Sequence, residues 1–173
     1  MAIKGKGYVK TSWSFEERPV SSSKLNLWDD NIEKGLELVH ELLSLAWGGG
    51  DGVIRGAATD DLRVLAKTPE DLTVEVEPGK AFIDRSIYVL ETATGTPSFT
   101  PPSVNPRIDL VQADLDMWAI SVKEGVEDAS PSAPSVDVDC IALAHIYCRA
   151  GMTSIKNTDD SVNGYVVDAR QYV

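Results

Sequence analysis

The stretch that most constrains the fold is Leu72 to Asp84, which reads LTVEVEPGKAFID. Leu72, Val74 and Val76 alternate with Thr73, Glu75 and Glu77, and a second apolar run, Ala81 to Ile83, follows Pro78-Gly79. Alternation with a period of two turns one face of a strand to a core and the other to water. Proline fixes one φ and glycine frees the next, a pair suited to reversing the chain. The segment predicts a β-hairpin and carries no catalytic group.

Similar punctuation runs through the rest of the C-terminal two-thirds. Strands are predicted near 53–57, 62–67, 72–77, 80–84, 86–91, 107–116, 118–123, 140–149, 153–156 and 164–168. Two long loops divide them. Residues 95–106 hold Pro97, Pro101, Pro102 and Pro106, and residues 124–139 hold Gly125, Pro131 and Pro134. Many short strands separated by turn residues indicate an antiparallel β-sandwich or barrel over residues 51–173.

Upstream the period changes. Across 24–47, Ile32, Leu36, Val39, Leu43 and Ala46 fall at spacings of four, three, four and three. That is the spacing of a coiled-coil seam. Leu42 and Leu45 widen the stripe, and Trp28 and Trp47 stand at its ends. Asp29, Asp30 and Glu33 sit toward the helix N-terminus, where the dipole favours acids. Gly35 weakens the helix by about 1 kcal/mol relative to alanine. Gly48-Gly49-Gly50 ends it, so residues 24–50 are expected to be an amphipathic helix and a glycine joint. Residues 1–23, polar and mixed, are expected to be an extended arm ordered by a partner.

A chain of 173 residues can bury a core without metals or disulfides. Its formal charge of −11 argues against nucleic acid and against an anionic membrane surface, both of which need clustered Lys and Arg. Cys140 and Cys148, if on one strand, lie beyond disulfide reach and are expected to be free thiols. Lys4, Lys6 and Lys10 precede no apolar segment, so neither a secretory signal nor a membrane span is expected.

Several chemical constellations fail on spacing. GGGDGVIRG at 48–56 follows a helix and precedes strands, the reverse of a dinucleotide-binding turn. On a regular strand, Cys140 and Cys148 share a face and His145 takes the other, so they do not converge as zinc ligands. The doublets Asp29-Asp30, Asp60-Asp61 and Asp159-Asp160 read as surface and turn chemistry rather than a catalytic pair. Asp137 and Asp139 share a face and are candidate calcium ligands, but no EF-hand spacing is present. No nucleophile elbow or Cys–His pair is present. No enzymatic activity, cofactor or metal is therefore expected.

The four tryptophans divide by context. Trp28 and Trp47 suit an oligomer interface together with Ile32, Leu36, Val39, Leu43 and Ala46. Trp13 suits docking of the arm on a partner. Trp118 alternates with Ile120 and Val122 and is expected in the core. The stripe packs either on the chain's own β-domain or on copies of itself, and the glycine joint and seam spacing favour copies.

Across 53–173, VEVEPGKAFID at 74–84 is followed by IYVLE at 87–91, PRIDLVQADLD at 106–116 and the loop SPSAPS at 130–135. CIALAHIY at 140–147 and VVDAR at 166–170 complete the series. This ordered set resembles a β-module of bacteriophage tail, baseplate and fibre proteins. The resemblance implies a structural part of the virion, in the tail or baseplate region, made in the host cytoplasm. It implies a homotrimer that attaches fibres or neighbouring tail proteins. Two other roles fit the same residues. One is a receptor-binding module for a host surface glycan, with Tyr88 or Trp118 stacking on sugar. The other is a head fibre or capsid decoration protein.

Overall fold

A computed structural model of the chain describes residues 22–46, 50–56, 60–84 and 86–173. It divides into two units, Met1–Gly49 and Gly50–Val173. In the first, helix α1 runs from Ser22 to Ala46. No helix among the described residues is long and apolar enough to cross a membrane.

The second unit is built of short strands in three sheets that do not close into a barrel. β1 (Gly52–Ile54), β4 (Gly79–Ile83) and β5 (Ser86–Leu90) form one sheet in the order β1-β4-β5. β2 (Val64–Ala66), β3 (Val74–Val76) and β6 (Thr94–Gly95) form another in the order β2-β3-β6. The largest contains β7 (Arg107–Asp114), β8 (Ala119–Lys123), β9 (Cys140–Cys148), β10 (Ile155–Lys156) and β11 (Gly164–Asp168), in the order β10-β11-β9-β7-β8. All neighbouring strands are antiparallel except β10 and β11. The protein is thus mainly β, sandwich-like, with one N-terminal helix. Val53 and Tyr88 from the first sheet, Val74 and Val76 from the second, and Val111, Leu143 and Ile146 from the third share one buried core. At roughly 25 cal/mol per Å² of apolar surface, that common core is what holds three small sheets together.

The expected hairpin at Leu72–Asp84 is not one. β3 pairs with β2 and β6, whereas β4 pairs with β1 and β5. Pro78-Gly79 is a corner that carries the chain from one sheet to another. The corner is pinned by the 61–63 segment: Glu77 N–H donates to Arg63 O at 2.8 Å, and Leu62 N–H donates to Pro78 O at 3.3 Å. A Cβ on Gly79 would lie 2.5 Å from Leu62 N, so only glycine lets the two backbones pass. The true hairpin is the next connection, β4 to β5, where Ile83 pairs with Ser86 and Asp84 adopts φ 40.

Strand β9 also departs from regular alternation. Val111 pairs with Ala144 but Gln112 pairs with Ala142, leaving Leu143 as a bulge. A bulge reverses the facing of everything beyond it. Ile141 and Leu143 are buried before it, and Ala144, Ile146 and Cys148 after it. The expected facing of the cysteines is therefore corrected. Cys140 and His145 share the half-exposed face, and Cys148 is buried on the other. Both cysteines are free thiols. The bulged carbonyl is used: Ala169 N–H donates to Leu143 O at 3.1 Å.

Polar anchors hold the long loops on this scaffold. Arg107 and Asp109 are both buried on β7. Asp109 also accepts from Gly125 N–H at 2.9 Å, and Arg107 Nη2 donates to Thr100 O at 2.7 Å. A Cβ on Gly125 would come within 2.0 Å of Ile108 O, so the loop start lies flat on the strand. Farther on, Glu127 accepts from the backbone N–H groups of Ser103, Val104 and Asn105 at 2.8, 3.2 and 3.4 Å. Asp137 accepts from Gln112 Nε2 at 2.7 Å and from Lys123 Nζ. The 171–173 tail lies parallel to β1, with Val53 N–H donating to Gln171 O at 2.7 Å and Val173 N–H donating to Val53 O at 3.1 Å.

Candidate interaction surfaces

The helix presents one apolar face. Leu25, Trp28, Ile32, Leu36 and Val39 are separated by three, four, four and three residues. At about 100° per residue they fall within an arc of about 80°. Their relative exposures are 49, 54, 59, 66 and 53%. Five large apolar side chains about half exposed on one stripe is far from the scattered exposure normal for a surface. Of the residues expected at an oligomer interface, Trp28, Ile32, Leu36 and Val39 lie on this stripe. Leu43 and Ala46 are on the helix backbone, but their side chains lie outside the described residues, as do Trp47 and Trp13. Leu25 was not anticipated; a heptad extended one turn upstream reaches it.

A second surface forms at one end of the β-domain, where the β7–β8 turn, the β4–β5 turn and the start of β9 meet. Met117 is 67% exposed and Trp118 54% exposed. The expected core position of Trp118 is therefore corrected. Its φ is 50, which breaks the alternation that Ile120 and Val122 suggested, and β8 begins only at Ala119. A bulky residue in the left-handed region is uncommon and costs roughly 1–2 kcal/mol. The turn is tied by Asp114, whose carboxylate accepts from Met117 N–H at 2.9 Å, and by Trp118 N–H donating to Leu115 O at 3.3 Å.

Carboxylates cluster around Asp139 at this end of the domain, where Leu115 N–H donates to Asp139 O at 3.0 Å. Desolvation first, and then the charges of Asp116, Asp84, Asp114 and Asp51, raise the Asp139 carboxyl above its ordinary pKa. The Cys140 thiol, desolvated and then acted on by the charges of Asp114, Asp137, Asp139 and Asp116, is pushed up to about 11. Such a thiol is a poor nucleophile. Asp51 accepts from Asp84 N–H at 3.0 Å. No ion pair among the described residues involves Asp51, Asp84, Asp114, Asp116 or Asp139. Tyr88, a candidate for sugar stacking, is fully buried instead. Its ring lies 5.4 Å from that of Trp118, and its hydroxyl has no hydrogen-bond partner among the described residues.

The remaining acids behave as turn residues. Asp60 accepts from Arg63 at 3.0 Å and Asp61 from Gly56 N–H at 2.8 Å. Asp159 binds Arg149, and Asp160 caps the 161–163 turn. Among the described residues no group of three or more His, Cys, Asp or Glu side chains is placed to hold a metal ion.

The Arg149 guanidinium lies 5.1 and 5.2 Å from the stacked rings of Tyr147 and Tyr165. This is a closed cation–π packing on the sheet. Comparison with protein-family models, with curated proteins and with solved structures returned no match.

Proposed function

We propose that the chain is a structural, self-associating protein of a bacteriophage virion, an adaptor of the tail or baseplate region. The observation that carries the self-association is the stripe of helix α1, with Leu25, Ile32, Leu36 and Val39 each about half exposed or more. An isolated helix gains most of its stability from packing an apolar face, and identical seams on copies of the chain satisfy one another. Three such helices around one axis bury the stripe. The tail or baseplate placement is supported by the ordered β-module pieces across 53–173 and by a scaffold whose polar groups are spent on holding loops.

Light scattering and sedimentation of the full chain test this. A trimer is expected at micromolar concentration, and replacing Ile32 and Leu36 by Asp should yield monomers whose β-domain keeps its unfolding transition. A stable monomer in the unaltered protein sinks the reading. Immunogold labelling of particles carrying the protein places it in the virion, and label confined to the head would refute a tail role.

A further inference from the structure

The β7–β8 turn end of the β-domain joins exposed apolar side chains to a cluster of carboxylates. Met117 and Trp118 form an exposed apolar tip. Asp51, Asp84, Asp114 and Asp116 gather around Asp139 at the same end, and none of the five makes an ion pair among the described residues. The Tyr88 ring packs beside Trp118, and its buried hydroxyl has no hydrogen-bond partner among the described residues. An acidic cluster beside an apolar tip favours a partner that brings cations and aromatic or aliphatic side chains together.

The chain itself contains such a segment. Residues 1–15 carry Lys4, Lys6 and Lys10 and no acid, in a chain whose total charge is −11. Ile3, Tyr8, Val9 and Trp13 are interspersed with those lysines. We propose that residues 1–15 of one copy dock on the Met117–Trp118 tip and the aspartate cluster beside it in a second copy. This rests on the self-assembly reading and deepens it by naming the acceptor of the arm. Lysines meet the carboxylates, and an aromatic side chain of the arm packs beside Trp118. Complementary charge would set the partner and register, while the apolar contact would hold it.

The test uses the full chain with Lys4, Lys6 and Lys10 replaced by Gln, so that its own arms do not compete. A fluorescent peptide of residues 1–15 is titrated against it by anisotropy. Saturable binding is expected, weakened at least tenfold by Trp118→Gly and by the pair Asp116→Asn with Asp139→Asn. Raising salt from about 50 to 500 mM should weaken it similarly, since screening shortens the reach of exposed charges. Trp118→Gly suits the left-handed backbone, and an unchanged melting temperature shows that the fold is retained. A peptide of the same composition in scrambled order controls for charge alone. No saturable binding, equal binding of the scrambled peptide, or indifference to the Trp118 and aspartate changes overturns the proposal. Light scattering on the same Lys→Gln chain separates this from the helix: a trimer there with no peptide binding refutes the arm contact while leaving the seam intact.

Discussion

Arg107 and Asp109 form a two-pronged ion pair between alternate residues of one strand. Arg107 Nε donates to Asp109 Oδ1 at 2.8 Å and Nη2 donates to Oδ2 at 3.2 Å, with side-chain exposures of only 6 and 2%. Glu124, at the base of the long loop, completes the guanidinium's partners. Removing one member strands a buried charge. Asp109→Ala should therefore cost about 3–5 kcal/mol, read by urea unfolding. The double change Arg107→Met with Asp109→Leu should cost clearly less than the single one. A single change that costs under about 1 kcal/mol would show that the pair does not anchor the loop.

Two glycines should respond oppositely to alanine. At Gly79 the new Cβ would meet the backbone of Leu62 and Asp61, and a loss of roughly 2–4 kcal/mol is expected from the forced separation. At Gly35 nothing lies within 4 Å, so Gly35→Ala should gain up to about 1 kcal/mol of helix propensity. Thermal melts and helical circular dichroism distinguish the two. Destabilisation by Gly35→Ala would mean that the helix is packed more tightly at that point than the chain alone shows.

Tyr88→Phe should stabilise the protein by about 1 kcal/mol, because it removes a buried hydroxyl that has no partner among the described residues. The ring and its packing on Trp118 remain. Chemical denaturation at low protein concentration is the appropriate measurement. A loss of more than 1 kcal/mol would show that the hydroxyl is engaged.

The Asp160 carboxyl is lowered to about 2, chiefly by the Asn163 side-chain amide and then by the Asn163 and Val162 backbone N–H groups. A depressed carboxyl contributes stability above its unfolded pKa, about 3.9, and loses it as pH falls through the folded value. Asp160→Ala should thus be less stable than the parent above about pH 4, and the two curves should converge toward pH 2. Parallel curves across that window would exclude the turn cap as their cause.

Much of this architecture is legible in the chain, and the failures share a cause. Val74, Val76, Leu110, Val111 and Ile146 announce strands because alternation or continuous burial is local. Which strand Val74 or Phe82 pairs with is not local, so Pro78-Gly79 read as a reversal although it is a corner between sheets. The bulge at Leu143 is invisible for the same reason: a single extra residue leaves the apolar run intact while reversing its facing. Strand β6 is two residues long and sits before a proline-rich loop, too short to generate a period. Of the surfaces, the helix stripe was readable from spacing. The acidic end was not, because its five aspartates come from segments far apart in sequence, and Trp118 looked like one more apolar residue in a strand.

The parallel placement of residues 171–173 against β1 has a mechanical consequence. Val53 bonds Gln171 on one side and Val173 on the other. A pull applied between Gly50 and Val173 runs in opposite directions along two strands lying side by side. It loads both bonds at once in shear rather than peeling them in turn. The β-domain therefore meets tension along its own chain at a point where its first strand and its last residues resist together.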